Sequence, residues 1–145
     1  MNVVEQSGVA AWSESVRHAA VAGWLERFEV ALGDGDADGL SALFGEESHW
    51  RDLVAFTWHI RTFNGRDAIL DGFDARAAGL KPRNFNIAEG RTAPAWVKRV
   101  GIATIEAIIT FETETGRASG VLRLLDFYGV ETSGANVVIV GRSNI

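Results

Sequence analysis

The chain of 145 residues contains no cysteine, a single tyrosine and a single methionine. Without cysteine it cannot form disulfides, thiolate metal sites or a thiol nucleophile. No apolar run approaches the roughly 20 residues that a membrane-spanning helix requires. Lys and Arg number 14 against 19 Asp and Glu, so the net charge is −5 and no basic stripe is available to neutralise phosphates. We therefore expect neither a nucleic acid nor a membrane as partner.

Signatures of targeting and of common catalytic sites are also missing. The first residues, Met1 to Glu5, lack the basic and apolar regions of a secretory signal, so a cytoplasmic location is expected. The sequence has no G-x-S-x-G, phosphate-loop or H-E-x-x-H pattern, which leaves nucleophilic catalysis without support. We expect no cofactor.

Apolar residues make up 47% of the chain and charged residues 23%, which is typical of a globular protein. The length predicts one domain, residues 1–145. Five Trp and eight Phe in so small a chain indicate either a bulky core or an apolar pocket.

Two periodicities divide the chain. Apolar residues at three- and four-residue spacing predict a helix over 13–32 with Ser13 as N-cap, a short helix capped by Asp36, and a third helix over 66–79. From Ser48 to Phe63 the period is two, which predicts a bent strand or two strands around a turn. Further strands are predicted over 84–89, 100–114, 117–125 and 136–140. This order indicates an α+β fold with a curved antiparallel sheet and helices on one face, which leaves a cone-shaped cavity.

Three segments carry a resemblance to a known family: "WLERFEVALGDGDADGLSALF" from Trp24, "HWRDLVAFTW" from His49 and "NGRDAI" from Asn64. Over residues 12–125 the chain resembles the nuclear transport factor 2-like (SnoaL-like) superfamily, and more narrowly the N-terminal domain of flavin-dependent monooxygenases. The superfamily includes ketosteroid isomerase, scytalone dehydratase and polyketide cyclases. The resemblance implies a cone-shaped sheet wrapped by three helices around an apolar pocket.

The last segment, "GVLRLLDFYGVETSGANVVIVGRSNI", resembles methylenetetrahydrofolate dehydrogenase/cyclohydrolase over residues 119–145. All of the net charge lies in residues 1–117, since the four charged residues of 118–145 sum to zero. The sequence thus suggests a chimera, designed or recombined, with 119–145 as a grafted segment. A fragment of a dinucleotide-binding dehydrogenase is an alternative, but the helix that would receive the pyrophosphate is absent. Residues 121–128 are either strand or helix, and 136–141 are expected to form a terminal strand.

Asp52 is the first candidate catalytic residue. The resemblance places it where isomerase-like members carry their general-base aspartate, a role that depends on burial. Their oxyanion donors are missing, because Phe28 stands at the tyrosine position and Ser119 to Val121 contains no acid. The alternative for Asp52 is an ion pair with Arg51, Arg61 or Arg66, or a turn cap.

His49 and His59 are further catalytic candidates, because a His–Asp pair is the dehydratase arrangement in this superfamily. On an ideal strand, however, both lie on the face opposite Asp52. Either ring could instead donate to the backbone. A third metal ligand could only come from Glu46 or Glu47, and the spacing fits no established metal site, so none is expected.

The predicted ligand pocket consists of aromatic residues, although the same spacing is typical of a core: Trp24, Phe28, Trp50, Phe56, Trp58 and Phe73. The favoured function is a non-catalytic domain that binds an apolar or aromatic small molecule or forms a homodimer. A dehydratase or isomerase that uses Asp52, and a purely structural chimera, are the alternatives.

Overall fold

The computed structural model describes residues 13–53, 55–57, 59–99, 102–125 and 137–143. Two helices precede two strands, a third helix follows, and the rest of the described chain is strand. The elements are α1 (Glu14–Asp34), α2 (Ala37–Leu43), β1 (His49–Leu53), β2 (Ile60–Asn64), α3 (Arg66–Leu80), β3 (Arg83–Ile87), β4 (Ala95–Arg99), β5 (Ile102–Thr113), β6 (Gly116–Leu125) and β7 (Val137–Ser143). The predicted α+β class is confirmed.

Local sequence signals set the ends of the first two helices. The Ser13 hydroxyl accepts a hydrogen bond from the Val16 amide and caps α1, as the sequence predicts. The helix ends at Gly35, whose φ of 65° lies in the left-handed region that favours glycine. Asp36 then caps α2 by accepting from the Gly39 amide at 3.0 Å. This tight connection places α2 directly beside the end of α1.

All strands that the structure describes belong to one sheet of order β2-β1-β7-β6-β5-β3, and β4 pairs with β5 beyond the end of β3. Every pairing is antiparallel except that of β1 with β7, which is parallel. The segment 48–63 resolves into the two strands β1 and β2 rather than one bent strand. β4 is absent from the sequence prediction, because Lys98 and Arg99 give residues 95–99 the polarity of a loop.

The last part of the chain joins the same sheet. β6 runs through Leu125 as a strand, so a helix over 121–125 is excluded, while residues 126–128 lie outside the described residues. β7 occupies the position between β1 and β6, in agreement with the predicted strand over 136–140. The segment 137–143 therefore contributes an internal strand of the sheet.

The core lies between the helices and the inner face of the sheet, and aromatic rings fill much of it. The indole of Trp50 on β1 stacks between Phe63 of β2 and Phe73 of α3, with both centroid distances at 4.3 Å and interplanar angles of 12° and 21°. We call these three residues the aromatic column. Gly72 on α3 allows the close approach, since a Cβ there would lie 2.8 Å from Cε1 of Phe63. The column fixes α3 against β1 and β2.

We predict that Gly72→Ala lowers the free energy of unfolding by about 1–3 kcal/mol, because the added methyl group overpacks the aromatic column. The control is Gly79→Ala on the same helix, where an added Cβ meets nothing within 4 Å. That change should raise the free energy of unfolding by about 0.5–1 kcal/mol. Urea unfolding measures both variants, and equal stability of the two would contradict the packing described.

Candidate functional site

Asp52 lies on the inner face of β1, is completely buried and holds a loop in place. Its Oδ1 accepts from the amides of Ala55 and Phe56 at 3.1 and 2.9 Å. Its Oδ2 accepts from the Thr57 amide at 2.7 Å, and the Thr57 hydroxyl lies 2.8 Å from the same oxygen. These donors occupy most of the lone-pair sites of the carboxylate. The arrangement, here called the Asp52 cap, is the turn-capping alternative considered for this residue.

The three arginines considered as ion-pair partners of Asp52 have other contacts. Arg51 donates to the Thr62 hydroxyl at 3.5 Å, and Arg66 lies 3.8 Å from Glu46. Arg61 stands directly opposite Asp52 in the strand register, but its guanidinium lies over the ring of Phe63 at 4.8 Å. Within the part of the chain that the structure describes, Asp52 therefore binds the loop and forms no ion pair.

The two histidines do not join Asp52. His49 is exposed on β1 and lies on the face of the strand opposite the buried Trp50 and Asp52. Its Nδ1 lies 2.9 Å from the side-chain oxygen of Asn64. His59 is exposed as well, and its backbone bonds to the Thr57 hydroxyl. Within the described chain neither imidazole is hydrogen-bonded to Asp52. A shared catalytic role of Asp52, His49 and His59 remains a prediction. The structure does not join the three side chains by hydrogen bonds.

Five of the six predicted pocket residues are core residues, at most 7% exposed: Trp24, Phe28, Trp50, Phe56 and Phe73. Each ring packs against others of the set; Phe28, for example, lies 5.0 Å from Trp24 and 5.4 Å from Phe73. The side chain of Trp58 lies outside the described residues. Of these five, Phe73 also lines a surface cleft.

That cleft, here called the helical cleft, opens between the end of α1, α2 and α3 and has a volume of about 790 Å³. Small residues on both sides, such as Gly33, Ala37 and Ala77, leave the space between the helices unfilled. Its walls combine apolar and charged side chains: Leu32, Asp34, Leu40, Leu70, Asp71, Phe73, Asp74, Lys81, Pro82 and Arg83. The sequence analysis did not predict this cleft, because its lining comes from two stretches of the chain that are distant in sequence, 32–40 and 70–83.

A second groove, of about 870 Å³, separates α1 from the edge strand β3. Its lining is largely polar and includes His18, Glu26, Glu29 and Glu89. The Glu29 carboxylate accepts from the Phe85 amide at 2.7 Å, which ties α1 to β3. This contact protects part of a sheet edge that would otherwise expose an unpaired donor.

In the part of the chain that the structure describes, no group of three or more His, Asp or Glu side chains could hold a metal ion. None of the described helices is both long and apolar enough to cross a membrane.

Comparison with solved structures identifies the architecture. A candidate isomerase from Bacillus subtilis has 16% sequence identity and a TM-score of 0.51, with 90% of each chain covered. An NTF-2-like protein of unknown function from Silicibacter pomeroyi has 18% identity and a TM-score of 0.53, over 90% of this chain and 98% of that one. The fold is that of the nuclear transport factor 2-like proteins.

A candidate SnoaL-like polyketide cyclase from Shewanella putrefaciens shares the nuclear transport factor 2-like fold, with 15% identity, a TM-score of 0.50 and coverage of 87% and 89%. No family model matches the sequence, and no curated protein matches it either. At identities this low, the likeness shows the fold alone.

We predict that Asp52→Asn lowers the free energy of unfolding by about 1–3 kcal/mol, because the amide group cannot accept the donors that one carboxylate oxygen now serves. Amide hydrogen exchange at Phe56 and Thr57 should accelerate in the variant. Asp71→Asn, at an exposed position of α3, is the control and should change neither quantity. Unchanged stability and exchange in Asp52→Asn would show that the Asp52 cap contributes nothing to the fold.

Proposed function

We propose that this domain binds an apolar or aromatic small molecule in the helical cleft and has no catalytic activity of its own. The helical cleft carries the proposal. Its volume of about 790 Å³ falls within the range of small-molecule sites. Leu70 and Ala77, which are both partly exposed, contribute to its lining, so a ligand there would remove apolar surface from water.

The polar groups of the helical cleft are better suited to orienting a bound ligand than to catalysing a reaction of that ligand. Asp34, Asp71 and Asp74 are exposed carboxylates, and Lys81 is an exposed cation. The Arg83 guanidinium is already bound to the Lys81 carbonyl and to the Glu114 carboxylate. A few polar groups around an apolar floor are the usual pattern of a binding site.

The alternative function is a dehydratase or isomerase in which Asp52 acts as general base. Its support is the position of Asp52 on the inner face of the sheet, where it is fully buried. Proton abstraction would require the loop 55–57 to release the carboxylate, because a general base must lie within hydrogen-bond reach of the proton that it removes. The solved neighbours described as candidate isomerase and cyclase share only the fold. The binding function therefore remains our choice.

The origin that we propose is an accessory domain of a flavin-dependent monooxygenase, joined to a borrowed segment over 119–145. The sequence resemblances and the neutral charge of residues 118–145 support this origin. The strand state of β6 and β7 agrees with a role of that segment in completing the sheet.

We also propose that the domain forms a cytoplasmic homodimer through the outer face of the sheet. Ile108 of β5 and Val121 of β6 stand opposite each other in the register and are half-buried on this face. An ion pair of 2.7 Å between Arg123 and Glu106 lies beside them. An apolar centre with a charged rim is typical of protein interfaces.

We predict that Ala77→Leu weakens the binding of the neutral dye N-phenyl-1-naphthylamine at least tenfold, because the larger side chain fills the helical cleft. Ala75→Leu, at an exposed position of the same helix outside the cleft lining, is the matched control and should bind as wild type does. Dye fluorescence titration gives the dissociation constants. Equal affinity in the two variants, or no binding by wild type, would refute the proposed function.

We predict that Ile108→Lys shifts the protein from dimer to monomer, since a charge at the centre of the outer face would be buried without a partner. Sedimentation equilibrium should give about twice the chain mass of 15.7 kDa for wild type. Val30→Lys, at a position of α1 that is 58% exposed, should stay dimeric. A monomeric wild type at micromolar concentration would contradict the interface.

A further inference from the structure

Two guanidinium groups converge on one aromatic ring at the edge of the sheet. The ζ-carbon of Arg61 on β2 lies 4.8 Å from the centroid of the Phe63 ring, and that of Arg76 on α3 lies 5.5 Å from it. The indole of Trp50 stacks on one face of that ring. The ζ-carbons of the two guanidinium groups are therefore at most about 10 Å apart.

This arginine pair, Arg61 and Arg76, is held in place without a carboxylate. Arg76 donates from Nη1 to the Gly72 carbonyl at 3.0 Å, which fixes it along α3. The Arg61 guanidinium lies over the ring of Phe63, which is two residues further along the same strand. Among the described residues neither arginine forms an ion pair.

Among the described residues, the carboxylate opposite Arg61 in the strand register forms no ion pair with either arginine. Asp52 stands opposite Arg61 in the register of β1 and β2, and both of its oxygens accept hydrogen bonds from the loop 55–57. Two like charges within about one Debye length repel each other. An anion placed between them would remove this repulsion.

The hydrogen-bond donors of the two guanidinium groups also favour the binding of an anion. Each guanidinium carries five N–H donors in a planar fork, and one donor of Arg76 is engaged. Such forks match the geometry of carboxylate and phosphate oxygens and bind them with two parallel hydrogen bonds. Arg61 is exposed and Arg76 is half-buried, so a ligand from solvent can reach both.

We propose that the arginine pair is a binding site for the oxyanion group of a small molecule, a carboxylate or a phosphate. The site lies on the side of α3 that faces β2, whereas the helical cleft lies between α3 and α2. It is therefore a second site, independent of the one proposed above.

The test is titration of the whole protein with benzoate, phenyl phosphate and inorganic phosphate in chloride buffer of constant ionic strength. Nitrogen-detected NMR of the arginine Nε–H groups reports each guanidinium separately. The resonances of Arg61 and Arg76 should shift together with one dissociation constant, while that of Arg27, an exposed arginine of α1, should not move. Tighter binding of benzoate would assign the site to carboxylates, and tighter binding of the two phosphates would assign it to phosphates.

Variants of the two arginines distinguish binding through two parallel hydrogen bonds from binding through positive charge alone. Arg61→Gln and Arg76→Gln should each weaken binding at least tenfold, and Arg27→Gln should leave it unchanged. If either glutamine variant unfolds, Arg61→Lys and Arg76→Lys decide the matter, since they keep the charge but lose the planar fork and should also bind at least tenfold more weakly. Ala77→Leu should bind these anions as wild type does. Equal shifts at all three arginines, no shift at the pair, or wild-type affinity in the lysine variants would overturn the proposal.

Discussion

The stacking of Trp50 between Phe63 and Phe73 is the contact on which the remaining architecture depends. It joins an edge strand, its neighbour and the third helix in one continuous column of rings. The arrangement leaves the Trp50 indole N–H buried without a hydrogen-bond partner among the described residues, a cost of about 1–3 kcal/mol. Burial of the indole contributes a similar amount, and each stacked pair adds about 0.5–1.5 kcal/mol. Packing therefore outweighs hydrogen bonding in fixing this side chain.

The aromatic column also explains where function can reside. Side chains that would line a cone-shaped pocket are instead packed against one another, and the buried carboxylate beside them caps a loop. Surface features remain available outside this core: the helical cleft on one side of α3 and the arginine pair on the other. The same helix thus separates two environments, one largely apolar and one cationic.

Periodicity and capping residues were sufficient to predict the three helices and most strands, because Ser13, Asp36 and Gly35 act within a few residues of their own positions. The state of residues 121–125 could not be decided, since pairing with β5 and β7 determines it and both partners are distant in sequence. For the candidate site, strand alternation accounts for His49, which lies on the opposite face of β1 from Asp52, but not for His59, which precedes β2. The sequence could not show that Asp52 binds the three residues that follow Val54, or that small residues of α1, α2 and α3 leave a cleft.

The central claim is that the aromatic residues form a solid core and that a small molecule binds beside α3 instead. A crystal structure of the protein with bound N-phenyl-1-naphthylamine tests it most directly. We expect electron density for the dye in the helical cleft, next to Leu40 and Ala77, with the rings of the aromatic column still stacked. Dye inserted between Trp50 and Phe73, close to a released Asp52 carboxylate, would contradict the account.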